Sequence, residues 1–323
     1  MKKLLSLLPA ALVLGFIQPA AAEYPEKPIK MIVAYAPGGS TDITARVLAP
    51  FIEKYLGGGA KVVVENRPGA GGEIGFTALA TAAPDGYTIG FINTPNLVSI
   101  PIERSVKFNW KQYDLIGNLL DDPSGFSVNS SGKIKNLKDL VDFAKANPGA
   151  LTYGTTGVGS DDHLSMLAFE RLTGIKATHA PFPGASAVRT ALTGGHIMLG
   201  SMNVGEAMQY TAAGSPFINL GQMSEKRVDI APDVPTFKEQ GYDMVFASLR
   251  GVGAPKGLPD DIRKRLVEAV GKTAADPEFQ AQVKKTFAPL RYLAPDDYAK
   301  ELTALEETLK KLWSQDPWAK SSQ

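Results

Sequence analysis

Short β-branched runs alternate with amphipathic helical stretches along most of this chain, and few folds satisfy that alternation. "KMIVAYA" (30–36) reads as a strand and residues 43–56 as a helix. "KVVVEN" (61–66) reads as a second strand, followed by a glycine-rich turn and a helix around 74–82. After the turn "PDGY" comes a third strand, "TIGFINT" (88–94). Strands joined by helical crossovers pair in parallel, with helices on the sheet faces. A second series starts near residue 125, with the helix "NLKDLVDFAKAN", the strand "LTYGTTG" and a helix over 163–172. "KATHAPF" and "HIMLGSMN" read as further strands around a helix at 185–193, and "FINLGQM" as the last strand of that series. The C-terminal part reads as helices, each opening on Pro and acidic residues as helix starts prefer. Asp260-Asp261 and Asp296-Asp297 therefore belong to helix starts, while Asp121-Asp122, before Pro123, reads as a turn.

The first residues stand apart from this pattern. Lys2 and Lys3 precede the apolar "LLSLLPAALVLGFI", and Ala20-Ala21-Ala22 offers a small-residue cleavage site before Glu23. Residues 1–22 are expected to be a signal peptide, its apolar core being short for a membrane span. With no cysteine in the sequence, neither disulfides nor a lipid anchor are expected, so export should leave a free, soluble protein. About 300 residues remain, which usually exceeds one core and makes two lobes the expectation. Losing two lysines takes the formal net charge from +1 to −1, a balance that suggests neither nucleic acid nor an anionic membrane as partner.

Two glycine-rich turns carry the chemistry. "APGGSTD" (36–42) and "TYGTTGVGSDDHL" (152–164) each close a strand with glycines and hydroxyls and open a helix. Such turns offer backbone N–H groups, hydroxyl donors and the positive end of a helix dipole. One on each lobe could hold a carboxylate between them, and "FPGASA" (182–187) is a third of the same kind. Each taken alone is ordinary architecture in a parallel sheet. Enzyme motifs fail on spacing. Gly157-Val158-Gly159 has Asp162 where a dinucleotide fingerprint needs its third glycine, and Val158-Gly159-Ser160 lacks the first glycine of a nucleophile elbow. His163, His179 and His196 are too far apart for a paired metal motif, and no cysteine is present to build a zinc cage. A hydrolase using Ser160 and His163 is the weakest reading considered.

Taken together, "YPEKPIKMIVAYAPGGSTDITARVLAPFIEK", "VVVENRPGAGGEIG", "APDGYTIGF", "LTYGTTGVGSDDHL", "APDVPTFKEQGY" and "GVGAPKGLPDDIRKRL" resemble the tripartite tricarboxylate transporter substrate-binding proteins, the Bug family. The resemblance covers nearly the whole mature chain. It implies an α/β type II periplasmic binding fold: two α/β lobes with mainly parallel central sheets around a ligand cleft, joined by two crossovers. Residues 23–124 plus 247–323 would form the first lobe and 125–246 the second. It further implies a ligand carboxylate held between Gly39, Ser40, Thr41 and Asp42 of one lobe and Thr155, Thr156, Gly157 and Ser160 of the other. Gly184, Ala185 and Ser186 would close the pocket. Asp42 carries the wrong charge to touch a carboxylate and is expected to cap its helix or hold a water. Asp161 and Arg250 stand where the family more often has a small polar residue and an aromatic. Arg250 is either the partner of a distal carboxylate, favouring a di- or tricarboxylate, or an exposed or Asp161-paired arginine. The function implied is capture of a small organic carboxylate, without cofactor, metal or catalysis, by a monomer that delivers it to a membrane permease. A sensory adaptor serving a receptor kinase is the alternative.

Overall fold

The computed structural model describes residues 24–315 and 317–319, so the expected signal peptide lies outside the described residues. The first strand, β1 (Ile29–Val33), pairs in parallel with β2 (Val62–Asn66) and with β3 (Thr88–Asn93). The connections are α1 (Ser40–Leu56) and α2 (Glu73–Ala80), and α3 (Asn96–Glu103) follows β3. β3 is buried from Ile89 to Asn93, as a strand covered on both faces should be.

The next element departs from the sequence reading. A single strand, β4 (Tyr113–Asn129), runs straight through Asp121-Asp122-Pro123, where the residue types indicate a turn. Aspartate favours turns because its carboxylate finds local backbone partners. Here Asp122 is wholly buried and finds its partners across the strand instead, accepting from the N–H of Gly205 at 2.9 Å and facing Arg250 at 3.4 Å. Pro123, which has no N–H to donate, falls where the strand changes partners. Up to Pro123, β4 pairs antiparallel with β9 (Ala247–Pro255), which also pairs with β3. From Ser124 onward its partners are β7 (Leu199–Asn203) and β8 (Phe217–Gln222).

The second lobe is built around β5 (Leu151–Thr155), which lies parallel to both β6 (Ala177–Pro181) and β7. Its helices are α4 (Leu137–Ala146), α5 (Asp161–Thr173), α6 (Ala185–Thr193) and α7 (Val204–Ala212). The chain returns along β9 into α8 (Asp260–Ala275), α9 (Pro277–Lys285), the short β10 (Leu290–Leu293) on the edge of β4, and α10 (Pro295–Gln315). The acidic pairs at 260–261 and 296–297 stand in first helical turns. Both sheets are thus mixed, parallel among β1 to β3 and among β5 to β7 and antiparallel around β4 and β9. A strand leaving one lobe and a strand coming back must run in opposite directions, so two crossovers dictate that mixture.

Each lobe has its own core. One joins Met31, Phe76, Phe91, Val252, Phe279 and Tyr298; the other joins Phe126, Tyr153, Phe169 and Phe237. On β4 the first core ends at Leu120 and the second begins at Phe126, leaving a polar interval between them. The lobes meet closely there. Ser99 donates to the carbonyl of Gly159 at 2.7 Å across the interface. Gly205, in the first turn of α7, stands against the other lobe so tightly that an added Cβ would lie 2.3 Å from the carbonyl oxygen of Phe287. Gly205→Ala should push α7 off Phe287, an overpacking that costs about 1–3 kcal/mol. Melting temperature should fall and the radius of gyration from small-angle scattering should rise. Unchanged values of both would show that the two surfaces are not in contact in solution.

Candidate functional site

The turn after β1 is held from behind. Gly39 is the N-cap of α1 and has no side chain to offer its first-turn amides, whose N–H groups have no intrahelical acceptor. Asp42 turns back instead, accepting from the N–H of Gly38, from Asn66 and from Arg46, each at 2.9 Å. Burial works against its ionised form, yet those three partners keep its carboxyl below the ordinary value. Asp42 therefore braces the loop ahead of α1 rather than capping the helix's own first-turn amides.

The second-lobe turn repeats the arrangement. Asp162 accepts from the N–H and hydroxyl of Thr156, at 3.1 and 2.7 Å. Ser160 caps α5 by accepting from the N–H of His163 at 3.2 Å, and gives its own proton to the carbonyl of Gly157 at 2.8 Å. The His163 ring accepts from the N–H of Gly159 through Nδ1 and stacks on His179, ring centres 4.2 Å apart. Burial pushes His163 down to about 3 and His179 to about 4, so both are neutral at physiological pH. Ser160 and His163 thus face backbone groups rather than each other's reactive atoms. A nucleophile–base pair is not built there, and the hydrolase reading fails on geometry.

A small cavity, of about 20 Å³, lies between the lobes. Gly39, Ser40 and Thr41 line it from one side, Thr156, Asp161 and Ala185 from the other, and Arg250 reaches it from β9. The N-termini of α1, α5 and α6 therefore converge on one space. The remaining expected residues stand outside the lining. Asp42 braces the loop before α1, Ser160 caps α5, Thr155 contacts Nε2 of His179 at 2.7 Å, and Gly157 packs against Gly71. Gly184 is the N-cap of α6, and Ser186 donates across the interface to the carbonyl of Pro37 at 3.3 Å. Their hydroxyls and backbone shape the turns that present the lining.

Several lining residues escaped sequence reasoning, among them Tyr35, Asn93, Asn203, Glu206 and Ser248. Asn93 and Asn203 end β3 and β7, and a polar residue closing an apolar strand is a legible signal, since ligands of α/β sheets gather at the strands' carboxyl ends. Glu206 sits on α7, for which the sequence reading had no element.

Arg250 is neither exposed nor paired directly with Asp161. Only 1% of its surface is accessible. Its Nη1 donates to the Ser40 hydroxyl and its Nη2 to Oδ1 of Asn203, both at 2.7 Å, while Nη2 also lies 3.3 Å from Glu206 and 3.4 Å from Asp122. Asp161 instead accepts from Ser124 at 2.8 Å and from Asn203 at 2.7 Å. Asn203 thus bridges the guanidinium and the carboxylate. Burial raises Asp161 and Glu206 above the ordinary carboxyl range, and Asp162 well above it, where the charge of Asp161 adds to the effect.

Asp122 is pushed from 3.8 up to about 7, mainly by burial, with Arg250 opposing and Glu206 adding. The folded state then holds a proton that the unfolded chain releases. Its contribution to stability is full below about pH 4 and is lost as pH rises through about 7. Against Asp122→Asn, the wild-type protein should gain melting temperature as pH falls from about 8 to about 5. A difference that does not vary with pH would show Asp122 ionised throughout.

Comparison with known proteins places this architecture. Residues 44–310 match the family described as "Tripartite tricarboxylate transporter family receptor". The chain is 35% identical over 306 residues to "UPF0065 protein in gbd 5'region" of Cupriavidus necator, covering 91% of this chain and 88% of that protein. The solved structure of "periplasmic binding protein BugD" superposes with a TM-score of 0.83 at 29% identity, over 90% of this chain and 98% of that one. A structure described as "R. palustris Rpa4515 with adipate" superposes with a TM-score of 0.84 at 25% identity, over 90% and 97%. With two lobes, two crossovers and a match over most of its length, this chain belongs to the tripartite tricarboxylate transporter receptors, a family of solute-binding proteins.

Proposed function

We propose that this protein, exported to the periplasm by residues 1–22, closes its two lobes on a small organic carboxylate and delivers it to a tripartite tricarboxylate-type membrane transporter. In this reading residues 23–124 and 247–323 make one lobe and 125–246 the other. The observation that carries it is the convergence of the α1, α5 and α6 N-termini, drawn from both lobes, on one buried cavity beside Arg250. Helix N-termini present unpaired N–H groups and a positive dipole end, which is what a carboxylate requires. Gly39, Ser40, Thr41 and Ala185 bring backbone N–H groups and hydroxyls to the ligand, and Thr156 faces them. Asp42, Thr155, Gly157, Ser160, Gly184 and Ser186 hold those turns in shape. Such donors grip an anion without activating it, so capture and release follow with no chemical step. The adipate-bound relative supports the carboxylate assignment.

Thermal denaturation tests it. Residues 23–323, unfolded and refolded to strip any carried ligand, would be melted with mono-, di- and tricarboxylates, aromatic acids and amino acids. A ligand at a hundred times its Kd stabilises by about 2.7 kcal/mol, a shift of several degrees. At least one acid should produce such a shift and be recovered unchanged. No shift from any acid would remove the carboxylate from the assignment.

A further inference from the structure

The charges around the cavity are unbalanced. Among the described residues Arg250 is the one cationic side chain lining it, while Asp161 and Glu206 both line it and Asp122 lies against the same guanidinium. The guanidinium is also heavily committed. Its Nη1 serves Ser40, and its Nη2 serves Asn203 with Glu206 and Asp122 close by. A second ligand carboxylate reaching this end would meet two carboxyl groups and a cation already shared among acids.

Orphaned atoms give an independent sign. Glu206 and Arg250 are 3% and 1% exposed and both line the cavity, yet Oε2 of Glu206 and Nε of Arg250 have no hydrogen-bond partner. Buried polar atoms are seldom left unmet, because each forfeits its solvation. The first is an acceptor in want of a donor and the second a donor in want of an acceptor. A ligand satisfying both must carry an acceptor and a donor close together. Asp161 has already given Oδ2 to Ser124 and Asn203, which fixes its carboxyl at the cavity wall.

We infer that the cavity takes a ligand presenting a protonated nitrogen to Glu206 and Asp161 beside the carboxylate it presents to α1 and Arg250, a zwitterionic amino acid rather than a plain dicarboxylate. The inference rests on the carboxylate reading above and adds the second recognition group. It replaces the distal-carboxylate role for Arg250. Compact ligands suit the cavity, which is small as it stands.

Matched probes separate the two readings. Ligand-stripped protein would be titrated calorimetrically with each standard amino acid, with the acid lacking its amino group (propionate for alanine, succinate for aspartate, glutarate for glutamate), and with its α-carboxamide. The best amino acid should bind at least about tenfold tighter than its des-amino partner, as a charge-assisted contact to a buried carboxylate demands. Equal or tighter binding of the des-amino acids, or no binding by any amino acid, overturns the inference. The carboxamides report on the carboxylate separately, and an amide binding as well as its acid would sink that reading while leaving the nitrogen in place. Glu206→Gln should cut the preference for the amino acid over its des-amino partner to less than half. An undiminished preference in that variant would overturn the role given to Glu206.

Discussion

One buried guanidinium holds the middle of this protein together. Arg250 sits on a strand that runs between the lobes, touches Ser40 at the head of α1, and reaches Asn203 and Glu206 at the head of α7 in the opposite lobe. Asp122, on the other connecting strand, lies 3.4 Å away. A cation removed from water survives only where acids and hydrogen-bond acceptors surround it, and here those acceptors come from both lobes and both connections. In this arrangement the two lobes together take the place of water around this side chain. The surplus of carboxyl groups around it follows from the same need, and leaves the cavity able to answer a positive charge as well as a negative one.

The two glycine turns share a device that explains why each ends in aspartate. Asp42 and Asp162 both stand in the first turn of a helix and reach back to a backbone N–H of the loop before it, at Gly38 and Thr156. An acid there is favoured by the helix dipole and gives the loop's own N–H an acceptor. By fixing the loop from behind it holds Ser40, Thr41 and Thr156 at the cavity wall. The residues that shape the turns and the residues that meet the ligand are neighbours in sequence with separate duties.

Much of this was legible from the residues. Strand and helix periodicity marked β1 to β3 and β5 to β8 and nearly all their helices, and the glycine-hydroxyl turns pointed to the cavity. The losses share a cause. β4 has no counterpart in the sequence reading, which places a turn at Asp121-Asp122-Pro123, because local propensity favours a turn there and the partners of the buried acid, Gly205 and Arg250, lie far along the chain. Glu206 and Asn203 likewise owe their place to a helix and a strand end brought beside β9 by the crossovers. Long-range charge compensation leaves no local periodicity to read. The resemblance assigns the hydroxyls of Ser160 and Thr155 to the ligand, whereas they turn to the carbonyl of Gly157 and to His179; a rotation of one residue along a turn is enough to send a side chain away from the cavity.

The pairing of β4 with β9 extends from Tyr113 opposite Pro255 to Pro123 opposite Ala247, so the two connections between lobes are one hydrogen-bonded ribbon almost to the point where they part. A two-stranded ribbon is compliant to bending out of its own plane and stiff to bending within it, since the latter would stretch one strand against the other. Such a joint has in effect a single soft degree of freedom. In the function proposed above, closure would then be a swing about this spine, with sliding and shearing of the lobes resisted.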